Sequence, residues 1–450
     1  MSGMPLFQAL LLLASAVILI AVTQSRRFHP LLAIIVVATA FGLAAGFSTA
    51  FVGKTFGVGF SQAMLGPGLV IVAAGFVAAL AESSGASDRL AAAISRWRFP
   101  GSTTIAALLG LIAGIGASPA AAFALLTPLL RPLGGGTARQ GETAATTLAL
   151  AISAGHGLLL LAPVPIVAAS VLDASWGRVV LFGVPVALVV VAVGAAWARW
   201  LPAAATALPS SLPEPSPGVE PRGGGIAAVL VLAAIVPLAM LMVQSLGDIP
   251  SEPLGGGTRR EMVLAFGRPL FLFLVAVGIM VVGHSRLSWK LFTDAGWTQR
   301  VFGRVAGIVL VVAAAGGLQK LCQETGMAEL LGERLLGWPA GLLVPFFIAA
   351  IVKTLQGSSL VAAITAAGMI QPALLPLGLV SENGRALATL AIGAGAMTIS
   401  HVNDEYFWLV ATSTGLRPLR VLAALTGGTL LQGLVALAAL LILSVFLLGS

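Results

Sequence analysis

Charge is scarce in this chain. Only 9% of its 450 residues are Asp, Glu, Lys or Arg, against roughly 25% in a soluble domain. With 58% hydrophobic residues and a mean hydropathy of +1.04, no water-soluble fold hides this much apolar surface, so lipid is the expected solvent. Cysteine occurs once, at Cys322, which excludes an internal disulfide and any cysteine-based metal site. The four histidines are scattered and give no metal-ligand spacing. Gly114-Ile-Gly116 has no Walker lysine and no soluble strand-helix unit beside it, so a nucleotide loop is excluded. No nucleophile-base arrangement is found, and neither an enzyme nor a cofactor is expected. The net charge of +8 lies in short loops between apolar runs, where it reports orientation rather than nucleic-acid binding. Trp97, Trp176, Trp200, Trp289 and Trp338 lie near loop ends, where aromatic belts sit.

What is present is a sequence written twice. GLVIVAAGFVAALAESSGASDRLAAAISRW from Gly68 is echoed by GIVLVVAAAGGLQKLCQETGMAELLGERLLGW from Gly307. One offset places Gly85 on Gly326 and Gly116 on Gly357, and a small slip places Pro30 on Pro269 and Arg178 on Arg420. Duplicated apolar halves, each with a Gly/Ser/Pro-broken segment, are the pattern of a secondary transporter. Residues 1–201 are therefore read as a first membrane repeat and 226–450 as a second. The Pro/Gly-rich stretch 202–225 reads as an extended cytoplasmic linker.

The fold class expected is an all-α polytopic membrane protein. Each repeat holds about five spans and one re-entrant hairpin. The spans are Pro5–Val22, Pro30–Phe47, Gly66–Ala81, Thr143–Leu172 and Val179–Leu201, then Ile226–Leu246, Pro269–Gly283, Val305–Leu321, Ala386–Ser413 and Val421–Leu448. Thr143–Leu172 and Ala386–Ser413 are longer than one crossing needs. Polar breaks at Ser153–Gly157 and Thr398–Asp404 suggest that both unwind inside the membrane. Thr103–Leu130 and Ala340–Leu377 break at Gly114–Pro119 and Lys353–Ser359 and read as hairpins of two half-helices.

An odd number of spans inverts the second repeat, and loop charge agrees. With the N-terminus outside, Arg89, Arg96 and Arg98 fall inside, while the counterpart loop carries Glu324, Glu329 and Glu333 against Lys320 and Arg334 outside. Phe47–Leu65, read as an outer loop, has only Lys54. Its inner counterpart has Arg286, Lys290, Arg300 and Arg304.

The hairpin tips are the candidate substrate site. Gln356, Gly357, Ser358 and Ser359 precede a half-helix whose unpaired N–H groups suit a carboxylate. Gly116 and Ser118 have the same form in the first repeat, followed by Pro119 at a helix start. Lys353, Thr365 and Asn403 complete the candidate binding set. Lys353 is expected either to meet the substrate carboxylate or to snorkel or pair structurally. His401, Asn403 and Asp404 form the most polar intramembrane cluster, with Glu405 adjacent and His156 as the counterpart in the first repeat. Intramembrane ionisable groups are functional candidates, and His156, His401 and Asp404 are the expected carriers of a coupling proton.

The chain resembles the bacterial gluconate permeases, or gluconate:proton symporters. Gln356-Gly357-Ser358-Ser359-Leu-Val-Ala-Ala-Ile-Thr365-Ala-Ala-Gly368 is similar to that family's QGSATVAAITAAG stretch, and Ser400-His401-Val402-Asn403-Asp404 with Phe407-Trp408 to its SHVND…FW. The resemblance runs over nearly the whole chain outside the linker loops. It implies an ion-transporter architecture of inverted repeats, a homodimer in the bacterial inner membrane, and import of small hydroxylated carboxylates such as sugar acids, glycerate or D-serine with a proton. Sodium coupling on the same architecture is the alternative, and a sensor or enzyme a remote one. There are departures from the family. Ala117–Phe123 has no acid where the family has an FFE stretch, Lys353 stands where the family has arginine, and only Ala162–Pro165 remains of a proline-histidine-proline run. These losses imply a smaller or less hydroxylated substrate than gluconate.

Overall fold

The computed structural model describes residues 4–24, 28–86, 89–90, 101–115, 118–134, 137–160, 162–202, 225–247, 254–283, 295–333, 335–336 and 340–448. Gly116, nearly all of the expected linker 202–225, Arg96, Arg98, Arg286, Lys290, Trp97, Trp289 and Trp338 lie outside the described residues. Among the described residues every regular element is helical.

The first half contains α1 (Met4–Gln24), α2 (Pro30–Ala44), α3 (Thr49–Ala63), α4 (Leu69–Ser83), α5 (Gly101–Ala113), α6 (Pro119–Leu133), α7 (Ala138–Leu158), α8 (Pro163–Val171) and α9 (Trp176–Trp200). The second half contains α10 (Gly225–Gly247), α11 (Thr258–Phe266), α12 (Pro269–Gly283), α13 (Ala295–Glu324), α14 (Met327–Glu333), α15 (Leu343–Gln356), α16 (Ser359–Ile370), α17 (Glu382–Ala396), α18 (Glu405–Thr414) and α19 (Gly427–Leu448). Six described segments are long and apolar enough to cross a membrane, and the bent pair α11–α12 makes a seventh. Shorter apolar helices of 10–17 residues include α2 and the arms α5, α6, α15 and α16.

Helix ends follow local chemistry. Ser48, Thr137 and Ser381 accept backbone N–H bonds at the starts of α3, α7 and α17, each such cap contributing about 1 kcal/mol. Prolines begin α2, α6, α8 and α12, where a missing N–H costs nothing.

Two expectations are corrected. Phe47–Leu65 is not an outer loop: Thr49–Ala63 is helical and runs through a wide turn at Met64–Gly68 into α4, giving one segment from Thr49 to Ala81. Its glycines lower the local hydropathy, yet Gly59 is needed because α13 crosses there with its own Gly316 backbone against it. Ser153–Gly157 likewise stays helical, and the break falls after Leu158. Gly155 is there for close packing rather than unwinding, since a Cβ would run into the Leu111 carbonyl of α5. Within Gly247–Gly267 lies α11.

The core is built around α7 and α17. Both are buried along nearly their whole length, and their small residues let neighbours approach closely. α5 packs on α7 at Gly155 in the same way that α15 packs on α17, where Gly395 faces the Phe346 carbonyl. α7 and α17 touch each other at Gly157 and Gly393. Ion pairs tie helix ends across the halves, Arg385 to Asp173 at 3.0 Å among them. Arg178 at the start of α9 reaches Glu382 of α17 at 2.7 Å, and Arg420, just before α19, reaches Glu142 of α7 at 2.5 Å. The outer helices present leucine, valine and phenylalanine outward, including Leu10 and Leu13 on α1, Leu181 and Leu188 on α9, and Val445 and Phe446 on α19. That is the surface a lipid solvent requires.

Candidate functional site

Three half-helices point their N-termini into one interior cavity: α6, α16 and α18. The cavity holds about 200 Å³, below the roughly 300–1,000 Å³ of drug-sized ligand pockets.

The second hairpin turns at Gly357–Ser358. Gly357 sits at φ 75°, ends α15 through its N–H to the Lys353 carbonyl at 2.8 Å, and has the Asn403 backbone where a Cβ would be. Both the left-handed conformation and the close approach demand glycine. Ser358 then caps α16, its Oγ accepting the Val361 N–H at 3.3 Å. Ser118 does the same for α6 through Ala121 N–H at 3.3 Å. Each serine still has its own O–H to donate, and both line the cavity. The two arms of each hairpin also pack on one another.

The break between α17 and α18 supplies the opposite wall. Ile399 there has φ 49°, and the loop's polar backbone is partnered by Thr426, just before α19, and by Thr429 within it. Thr426 Oγ1 donates to the Ser400 carbonyl at 2.5 Å, and Ser400 N–H donates to Thr429 Oγ1 at 3.4 Å. Non-helical backbone at this depth needs such partners. Trp408 Nε1 donates to the Val402 carbonyl at 2.7 Å, and Tyr406 Oη to the Ala149 carbonyl of α7 at 2.9 Å, fixing the loop to the core.

At the centre is a buried ion pair. Lys353 Nζ lies 2.5 Å from Asp404 Oδ2 and also donates to the Gly357 carbonyl at 3.0 Å. Asp404 is fully engaged: Ser400 Oγ donates to Oδ2 at 2.5 Å, and the Tyr406 N–H donates to Oδ1 at 2.9 Å as the cap of α18. Of the outcomes expected for Lys353, the structure has the pairing. One of its three donors remains.

The histidines do matching work in the two halves. His156 Nδ1 lies 3.3 Å from the Gly114 carbonyl, and His401 Nε2 lies 2.7 Å from the Thr354 carbonyl. A carbonyl only accepts, so each ring nitrogen carries the hydrogen, and each histidine holds the end of its own hairpin's first arm. Asn403 Nδ2 joins His401 there, donating to the Thr354 and Leu355 carbonyls at 2.9 and 3.2 Å.

Of the residues singled out from sequence, Ser118, His156, Lys353, Gly357, Ser358, Ser359 and Asp404 line the cavity together. Gln356 instead turns to α14, donating to Glu329 Oε1 at 2.7 Å. Thr365 is half-buried further along α16, and His401 and Asn403 stand behind the wall as braces. Sequence reasoning missed Ser153, Gln319, Ser400, Glu405 and Tyr406, which also line it. A polar residue inside an apolar helix was the available signal for Ser153 and Gln319.

The profile of the GntP family permeases matches residues 7–446. A gluconate permease of Pseudomonas aeruginosa is 28% identical over 410 residues, covering 87% of each chain. The D-serine transporter DsdX of Escherichia coli K12 is 26% identical, covering 96% of this chain and 97% of its own. Among solved structures, the YdaH transporter of Alcanivorax borkumensis covers 86% of this chain and 88% of its own at 19% identity, with a TM-score of 0.34, a likeness too loose to build on. With its apolar helices and a family match across almost its full length, this multi-pass membrane protein belongs to the GntP family of permeases.

Proposed function

We propose that the chain is a secondary transporter that imports a small hydroxylated carboxylate across the bacterial inner membrane by proton symport. The observation that carries this reading is the convergence of the Ser118 and Ser358–Ser359 tips on one small cavity beside Lys353. Helix N-termini favour an anion by about 0.3–1 kcal/mol each, and the spare Lys353 donor and the serine hydroxyls suit carboxylate and hydroxyl oxygens. The cavity size favours a short acid over a long one, and relatives named for gluconate and D-serine support a small organic acid as the substrate class.

The architecture we propose is a pair of inverted repeats, 1–201 and 226–450, joined by a cytoplasmic linker and working as a homodimer. The reciprocal ion pairs support the repeat. Arg178 and Arg420, matched in sequence, each hold the glutamate near the start of the other half's long buried helix, Glu382 and Glu142.

Sodium coupling is the second reading. Two fully buried acceptor oxygens beside the second tip, Gln356 Oε1 and Asn403 Oδ1, have no hydrogen-bond partner, and oxygen ligands suit a hard cation. The test has two steps. Purified protein is screened for thermal stabilisation by glycerate, gluconate, L-idonate and D-serine, and the best ligand is followed into liposomes with and without sodium at a fixed pH gradient. Stabilisation by a hydroxy acid and sodium-independent accumulation are expected. Stabilisation by none of them would sink the substrate reading, and strict sodium dependence would replace the proton.

A further inference from the structure

Among the described residues Glu405 is the acidic group of the cavity that holds no ion pair. It begins α18 and lines the cavity, yet its carboxyl makes no hydrogen bond or ion pair among the described residues. Its neighbour Asp404 has both oxygens occupied by Lys353, Ser400 and the Tyr406 N–H. The remaining titratable groups that face the cavity are His156 from α7 and Tyr406 from α18 itself. α13 contributes only Gln319, and the tips of α6 and α16 only serines. His156 and Tyr406 are each tied to a backbone carbonyl, and His401 is turned to the back of the hairpin.

We propose that Glu405, rather than Asp404 or either histidine, is the group whose protonation is coupled to substrate binding. The inference rests on the reading of the chain as a carboxylate transporter. Lys353 is paired with Asp404, so among the described residues an anionic substrate enters beside a second carboxylate that has no ion-pair partner of its own. Two carboxylates confined together in a small cavity are most stable with one shared proton. The step is a simple protonation: an O–H bond forms at a Glu405 oxygen with a proton from water on the loading side and breaks to water on the other. Coupling is reciprocal, so the proton raises the affinity for the anion by the factor by which the anion raises the affinity for the proton. Asp404 then has a fixed duty, to hold Lys353 at the tip and cap α18.

The test uses full-length protein in phosphatidylethanolamine–phosphatidylglycerol liposomes with a pH dye inside and labelled gluconate as the probe. In wild type, gluconate entry is expected to acidify the lumen, and its apparent affinity to fall about tenfold per pH unit on the alkaline limb. Glu405→Gln carries a permanent mimic of the protonated carboxyl. Its gluconate exchange should lose that pH dependence and bring in no protons, and Glu405→Asp should restore acidification. Lumen acidification by Glu405→Gln equal to wild type would overturn the proposal. So would a wild type that takes up D-serine in net fashion without moving protons while Glu405→Gln cannot, because Glu405 would then hold the substrate's ammonium. A substrate-free infrared titration in the same lipid separates the two layers of inference. If neither protein carries gluconate, loss of a protonated-carboxyl band in Glu405→Gln upholds the proton site and removes only the gluconate reading. An unchanged band overturns the site itself.

Discussion

Removing one charge of the Lys353–Asp404 pair should cost far more than removing both. Lys353 is 3% exposed and Asp404 4%, and they meet at 2.5 Å. Lys353→Met leaves a buried carboxylate with only Ser400 and the Tyr406 N–H to hold it, and loss of one partner of such a pair costs about 3–5 kcal/mol. Asp404→Asn leaves a buried ammonium with only the Gly357 carbonyl, at a similar cost of about 3–5 kcal/mol. Asparagine still caps α18, so no further penalty of about 1 kcal/mol is added for the cap. The double variant strands no charge, and its expected cost is about 0–2 kcal/mol, since apolar or neutral replacements of whole buried pairs are often tolerated. The two single costs should therefore overshoot the double by roughly 4–10 kcal/mol, well beyond the ~0.5 kcal/mol scatter of independent sites. Reversible unfolding by SDS titration in mixed micelles measures all four proteins. A double variant as unstable as the two single costs added together would refute the pair as an interacting unit.

Three further outcomes are expected. Gly357→Ala forces a Cβ into the Asn403 backbone at a left-handed position. It should cost about 2 kcal/mol or more, read in the same titration, and should abolish ligand-induced thermal stabilisation; a stable variant that binds normally would remove the tip from the site. Arg420→Met leaves Glu142, 6% exposed, without its guanidinium and should destabilise by about 3 kcal/mol, whereas Arg178→Met, facing the exposed Glu382, should lose no more than about 1 kcal/mol. A shared cost would mean that the two reciprocal pairs are equally buried in the bilayer. For the inverted repeats, cysteines placed at Ser2 and Ser216 in a Cys322→Ala background should label from opposite sides of the membrane, and labelling from one side would refute inversion.

The places where the two halves depart from simple spans were legible because their causes are local. A glycine followed by serines, Gly357-Ser358-Ser359, ends one helix in the left-handed region and caps the next within a single turn, so sequence alone located the second tip. The polar run Thr398–Asp404 located the second broken span for the same reason, since Asp404 caps α18 by itself. The apolar composition fixed lipid as the solvent before any contact was known. Ser153–Gly157 looked like the same kind of break and is not. Its glycines serve the approach of α5 and α17, and only the neighbours across the core reveal that. Gln356 and Thr365 belonged to a motif similar to the gluconate permeases, but a helical turn sends successive side chains to different faces, and theirs miss the cavity. Tertiary structure alone decided which charges meet. Lys353 and Asp404 are 51 residues apart, and which residue neutralises which depends on how α15 and the α17–α18 loop pack. Asp404 and Glu405 are adjacent and chemically alike in sequence. The fold makes one a saturated cap and leaves the other open to the cavity, because at the start of a helix consecutive side chains leave the backbone in different directions.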